Sequence, residues 1–300
     1  DGSRGTIRRG SPPPFEIPAI RRFVQQVQPD LLVPGPTSHT TVLKDSSGYA
    51  LAAFRNSHEL VDLLVGSEGT LALFTAVEVA LIPRAGATAS VFAAFSDIGN
   101  AVAAAIASRN AGVSACELLD RTFLTIAARA GKPLPAPSDT EAALLTEVEG
   151  ADATSALESA NQVRELCSAL HATTVNVGIG PADEADLWAL RHAASPAIAK
   201  LDPAYRSMQF IEDCAVPPEA LGAYVMGVRA ILDRHDTPGV IFGHAGDAHV
   251  HVNPLIDTRR ADWRDRVERI LLEVTDLVSR LDGTLTGEHG DGRLRTPLMD

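Results

Sequence analysis

The sequence predicts an α+β fold, and three observations carry that expectation. From Ser90 onward, short apolar runs of strand length alternate with long helical patterns; a strand–helix–strand unit opens that region; and a late strand pair, Val240–Phe242 and Asp247–Pro254, closes it.

The elements follow in order. A proline-rich stretch, Ser11–Phe15, precedes a short helical segment at Ile17–Val27, and two glycine turns, GY at 48–49 and GSEGT at 66–70, flank a helix over Ser57–Val65. Pro83–Ala87 marks the junction between a first domain, 1–83, and a second, 84–300. In the second, a strand at Ser90–Phe95 leads into an alanine-rich helix opened by Ser96 or Asp97 and closed by Gly112, then a strand at Val113–Leu118. Strands at Ala142–Val148, Thr173–Val177 and Met208–Asp213 alternate with helices at Ala153–Leu170, Ala182–Lys200 and Pro218–Arg234, and Pro133–Asp139 reads as a surface loop. A last helix, Arg259–Leu281, delivers the chain to the segment GTLTGEHGDG. The alternation fits two ferredoxin-like units sharing one sheet.

Chemistry concentrates in two segments, Gly243–Pro254 (GHAGDAHVHVNP) and Gly283–Gly292 (GTLTGEHGDG), which together hold four histidines and a glutamate. In the first, Asp247, His249, His251 and Asn253 alternate with Ala248, Val250 and Val252. A period of two on a strand sends all four polar groups to one side, and His244 can curl back towards them from its glycine turn. Such a cluster suits either a divalent cation or a hydrogen-bonded polar face. In the second, Glu288 and His289 are neighbours between Gly287 and Gly290, so one can ligate an ion while the other serves as a general base near neutral pH. Three ligands with one position open make a cation a Lewis acid.

These residues resemble the C-terminal domain of the FAD-linked D-2-hydroxy acid dehydrogenases, the group within the vanillyl-alcohol oxidase flavoproteins that acts on D-lactate, D-2-hydroxyglutarate or glycolate. That family's signature reads approximately GHxGDGNxHxN, followed by a GEHG turn. The resemblance implies that His244, His251 and Glu288 hold the metal, that His289 is the catalytic base, and that Asn253 lies near the substrate. Zinc suits such a set, with manganese or iron as alternatives. The chain departs from the pattern at Ala248, where glycine is usual, and at His249, where asparagine is usual and where a second imidazole can compete for the ion. LWALRHAASPA (Leu187–Ala197) resembles the family's L-W-x-x-R-E segment and implies that Arg191 grips the substrate carboxylate through a two-bond fork. His192 replaces the usual glutamate, and the lysine of some relatives is not evident near Phe210–Asp213.

KDSSGYALAAF (Lys44–Phe54) and LLVGSEGTLALFTAVEVALIP (Leu63–Pro83) resemble the closing part of that family's FAD-binding domain. Gly48, Tyr49, Gly66, Ser67, Glu68, Gly69 and Thr70 are thereby implied to contact FAD, and residues 84–300 to form an antiparallel-sheet cap over it. The pyrophosphate loop of the family is not among these residues, and the chain opens at Asp1 without a methionine, so it reads as a fragment. The EHGDGRLRTPLM ending also resembles relatives that continue into an iron–sulfur region, which makes such a domain of the same polypeptide an expected electron acceptor. Cys116, Cys167 and Cys214 are too few and too scattered to hold a cluster themselves.

A formal charge of −12 disfavours nucleic acid, and no apolar run reaches the roughly 18 residues that span a bilayer. The expectations are a cytoplasmic enzyme, in some settings peripheral to the inner face of a membrane, that takes a small 2-hydroxy acid, with a homodimer as one admissible assembly. The alternatives are a zinc hydrolase-like domain or a metal-binding module without flavin chemistry; the HExxH helix of many zinc hydrolases is absent.

Overall fold

A computed structural model describes residues 2–33, 41–129, 135–192, 198 and 204–298. The chain forms two compact units, one of Asp1–Thr40, Asp45–Ala80 and Thr286–Asp300, the other of Thr41–Lys44 and Leu81–Leu285.

The larger unit is built on a seven-stranded sheet of order β4-β1-β3-β2-β6-β7-β5. The strands are β1 Ala87–Phe95, β2 Ala115–Asp120, β3 Ala142–Gly150, β4 Thr174–Ile179, β5 Tyr205–Ser207, β6 Gly239–Gly243 and β7 His251–Asp257, and every pairing is antiparallel. Strand β1 is apolar at consecutive positions because both of its faces are buried. Ala89, Val91, Ala93 and Phe95 face the larger core, with the helices Ile98–Asn110, Ala153–Ala169, Leu221–Arg234 and Trp263–Arg280. Phe92 and Ala94 face the smaller core, with the helices Arg121–Arg129 and Pro181–His192. Ala101, Ala104 and Ala105 bring the first helix close to the sheet at little cost in side-chain entropy. Its ends obey capping chemistry: Asp97 accepts the Asn100 N–H at 2.9 Å, and Gly112 follows the helix at φ 84°.

The order β4-β1-β3-β2 is that of a ferredoxin-like unit, in which β1 and β2 run the same way on either side of β3. Strands β6, β7 and β5, with the helices Leu221–Arg234 and Trp263–Arg280, repeat the arrangement in part. The two halves meet where β2 pairs with β6, Leu118 opposite Gly243 and Leu119 opposite Phe242. The α+β expectation and the shared antiparallel sheet therefore stand.

Two strands differ from the sequence expectation. Met208–Asp213 is not a strand; the preceding Tyr205–Ser207 pairs with β7 instead. Asp247–Pro254 is not continuous either, because Ala245–Asp247 forms a 3-10 turn and Ala248 is left-handed at φ 54°, so β7 begins at His251. That turn swings Asp247 out of the alternation to pair with Lys44 at 3.1 Å. The helix expected at Ala182–Lys200 is seen at Pro181–His192, and 193–197, 199 and 200 lie outside the described residues, as do Pro133 and Leu134 of the expected loop.

In the smaller unit, Phe54, Leu60 and Leu63 form a core with Phe23, Leu31 and Leu51 packed against it. The helical segment at Ile17–Val27 becomes Pro18–Arg22, a π-helical turn at Phe23–Val27 and Gln28–Leu31. The wide turn lies just before Pro29, which has no N–H to give to the preceding turn. Among the described residues, no helix is long and apolar enough to cross a membrane.

Asp120 is 2% exposed and caps the helix Arg121–Arg129, accepting the Phe123 N–H at 2.8 Å, while Arg229 approaches only to 3.8 Å. Burial raises its carboxyl to about 7 despite those partners and a further backbone hydrogen bond from Ile241. Between pH ~4 and ~7 the folded chain then keeps a proton that the unfolded chain releases, so this group removes stability as pH rises. Asp120→Asn should melt with the parent near pH ~4 and about 5–15 °C higher at pH ~8, since roughly three pKa units are worth about 4 kcal/mol; thermal scans showing the same difference at both pH values would contradict this.

Candidate functional site

The β2–β6 joint places an acid where an apolar strand would otherwise continue. On β2, Cys116 and Leu118 face the larger core and Leu119 the smaller, so Glu117 lies on the smaller core's side, 5% exposed. Its Oε1 accepts from Nδ1 of His244, just past the end of β6, at 2.5 Å. Its Oε2 accepts from Nε of Arg191 at 2.6 Å. Burial pushes this carboxyl up, but the hydrogen bonds from His244 and Arg191 and the Arg191 charge outweigh it and hold the group at about 2.

Arg191 reaches this point from the helix Pro181–His192, which Leu190 anchors in the smaller core and Trp188 ties to β1 by donating to Ser90 Oγ at 3.0 Å. The guanidinium lies 4.9 Å from the ring centre of Phe242. Opposite Phe242 in the sheet stands His251, and opposite Val240 stands Asn253, so both share the Glu117 side. His251 Nδ1 lies 3.1 Å from the Glu212 carbonyl oxygen and 3.4 Å from its carboxylate. A carbonyl can only accept, so Nδ1 carries the proton and Nε2 is the lone-pair nitrogen of the neutral ring. Burial lowers the His251 pKa, but Glu212 more than reverses this.

His249 is fully buried, and its Nε2 meets Asp213 Oδ1 at 3.0 Å. The three imidazoles cluster, with centroids 5.4 Å apart for His244 and His251, 5.6 Å for His244 and His249, and 4.9 Å for His249 and His251. Asp213, His249 and His251 each present a ligand atom within 4.8 Å of the others. A metal-bound imidazole that donates its other nitrogen to a carboxylate or carbonyl is a recurrent arrangement. The donor chemistry around His244 and His251 therefore fits a divalent cation.

The smaller unit gathers the other motif residues. Ser46 donates from its N–H to the Thr286 carbonyl and from its hydroxyl to the Gly287 carbonyl, both at 2.9 Å, and Gly48 N–H donates to Asp291 at 2.7 Å. Glu68 accepts from Gly292 N–H at 3.2 Å. Gly290 sits at φ 73°, and a Cβ there would run into the Glu68 carboxylate, so this turn requires glycine. Glu288 and His289 are thus carried on a turn pinned to the 46–48 and 66–70 segments. Tyr49 OH and Thr70 Oγ1 are 2.9 Å apart, and Gly66 and Gly69 are both left-handed. Ser67 is 2% exposed, and its Oγ meets no hydrogen-bond partner among the described residues. A buried hydroxyl so placed fits a polar cofactor edge such as that of a flavin.

The family model for FAD linked oxidases, C-terminal domain, matches residues 84–300. The chain belongs to this family. Among relatives, it is 29% identical over 257 residues to Glycolate oxidase subunit GlcD of Bacillus subtilis (strain 168), covering 85% of this chain and 53% of that protein. It is 30% identical over 241 residues to the mitochondrial D-lactate dehydrogenase [cytochrome] of Arabidopsis thaliana, covering 78% and 41%. D-2-hydroxyglutarate dehydrogenase of Pantoea ananatis (strain AJ13355) is 28% identical over 249 residues, covering 78% and 24%. The chain thus spans about half, or less, of these relatives' lengths.

Within the larger unit of this FAD-linked oxidase chain, the structure brings together His244, His251, Asn253 and Arg191. Sequence reasoning does not single out Glu117, Glu212 or Asp213. For Glu117 the signal is a lone acid inside the apolar run ACELL; for the other two it is an acidic pair between Ile211 and Cys214. Asp213→Ala would leave the buried His249 Nε2 without its carboxylate and should cost about 1–3 kcal/mol or more in urea unfolding; unchanged stability would mean that the pair contributes nothing.

Proposed function

We propose that this chain is the substrate-holding part of an FAD-dependent dehydrogenase that oxidises a small D-2-hydroxy acid, of the D-lactate, D-2-hydroxyglutarate or glycolate class, to the 2-oxo acid. The observation that supports it most is the pair His244 and His251, each with Nδ1 held by an acidic residue's oxygen, in a chain of the FAD-linked oxidase family. The relatives' names supply the substrate class, and the family favours this reading over a zinc hydrolase or a bare metal module.

In this reading His244 and His251 give their Nε2 lone pairs to a divalent cation, with Glu288 as third ligand on the strength of its motif. Arg191, steadied by Glu117 and Phe242, binds the substrate carboxylate. Asn253, 6% exposed and with its Oδ1 unpartnered among the described residues, receives the substrate's polar edge. His289 takes the α-hydroxyl proton. When bound, FAD accepts the hydride from C2 and the cation lowers the hydroxyl pKa. Gly48, Tyr49 and the 66–70 turn would hold the flavin, with the orphaned Ser67 hydroxyl as donor.

Two measurements on the complete polypeptide test this. Purified protein should show a flavin absorption spectrum and reduce that flavin with one of D-lactate, D-2-hydroxyglutarate or glycolate, losing turnover to a chelator and regaining it with zinc or manganese. Flavin that none of the three reduces would contradict the proposal. His289→Ala should lower kcat about 10²–10⁴-fold with a much smaller change in substrate affinity; near-normal turnover would remove its role as base.

A further inference from the structure

A carboxylate taken out of water inside a strand is costly unless its oxygens are matched by donors. Glu117 is matched twice, by groups from two different elements: His244 Nδ1 on Oε1 at 2.5 Å and Arg191 Nε on Oε2 at 2.6 Å. One side chain therefore joins the imidazole at the end of β6 to the guanidinium of the helix Pro181–His192.

We propose that Glu117 is a positioning residue: it holds His244 in the tautomer with the proton on Nδ1 and Nε2 turned to a divalent cation, and it aligns Arg191 beside that cation for the substrate carboxylate. The inference rests on the cation site proposed above and adds a group that neither ligates nor reacts. Only an ionised carboxylate can do both, because it accepts at each oxygen. An amide cannot. With its oxygen towards Arg191, a glutamine turns its NH2 onto His244 Nδ1, and the ring must move its proton to Nε2, the nitrogen that is to ligate. With the amide reversed, two donors face each other at Arg191. Either way one of the two links fails.

The test is a Zn²⁺ titration of the metal-stripped complete polypeptide, with folding checked by thermal melting. Glu117→Gln should bind zinc about 10–100-fold more weakly than the parent. In a His244→Ala background the same change should add less than about a twofold loss, because Glu117 acts through that ring. Equal zinc affinity in parent and Glu117→Gln, or an equal loss with and without His244, would overturn the proposal. A third readout needs no variant at position 117: nitrogen NMR of ¹⁵N-histidine-labelled, metal-free parent should show His244 protonated at Nδ1. A proton on Nε2 alone would overturn the proposal even if Glu117→Gln does not fold. A parent that binds no zinc would sink the cation site itself, and this inference with it, an outcome distinct from zinc binding that ignores Glu117.

Discussion

The constraint on which the site depends is the antiparallel joint between β2 and β6. Each half of the sheet has its own crossover helices, and the halves meet through Leu118 opposite Gly243 and Leu119 opposite Phe242. That register sets Glu117 beside His244, and the next pairing, β6 with β7, sets His251 opposite Phe242. A one-residue slip at the joint would send Glu117 into the larger core and Leu118 into the polar cluster. The apolar packing on both faces of the sheet thus specifies the electrostatics of the site, since Val240, Phe242 and Leu119 must all face the smaller core.

Electrostatic matching then explains how so many ionisable groups sit in one buried region. Glu117 is offset by Arg191 and His244, Asp213 by His249, and Glu212 faces His251. Removing water strengthens each pairing and makes each partner indispensable. The same matching orients the imidazoles, because a ring that donates at Nδ1 has its lone pair at Nε2.

Much of this is legible in the sequence, and the rest fails for physical reasons. The α+β class and most helices follow from periodicity and caps, as with Asp97 and Gly112 at the ends of Ile98–Asn110. The alternation of His251 and Asn253 is legible because β7 is regular there. Asp247 falls outside it because Ala248 takes a left-handed conformation at φ 54°, which local propensity disfavours and tertiary packing imposes, whereas His249 stays beside His251. Glu117 is illegible as a site residue because its partners lie 74 and 127 residues away. In the smaller unit, the pinning of the GEHGDG turn by Ser46, Gly48 and Glu68 joins segments more than 200 residues apart, and the motifs signal it where periodicity cannot.

In the proposed site, His244 and His251 ligate one divalent cation through Nε2, while His249 is held by Asp213. Anomalous X-ray diffraction from zinc-loaded crystals of the complete polypeptide measures this most directly. One zinc peak is expected at about 2.0–2.1 Å from Nε2 of both His244 and His251. A peak on Asp213 and His249 that leaves His244 uncoordinated would contradict it.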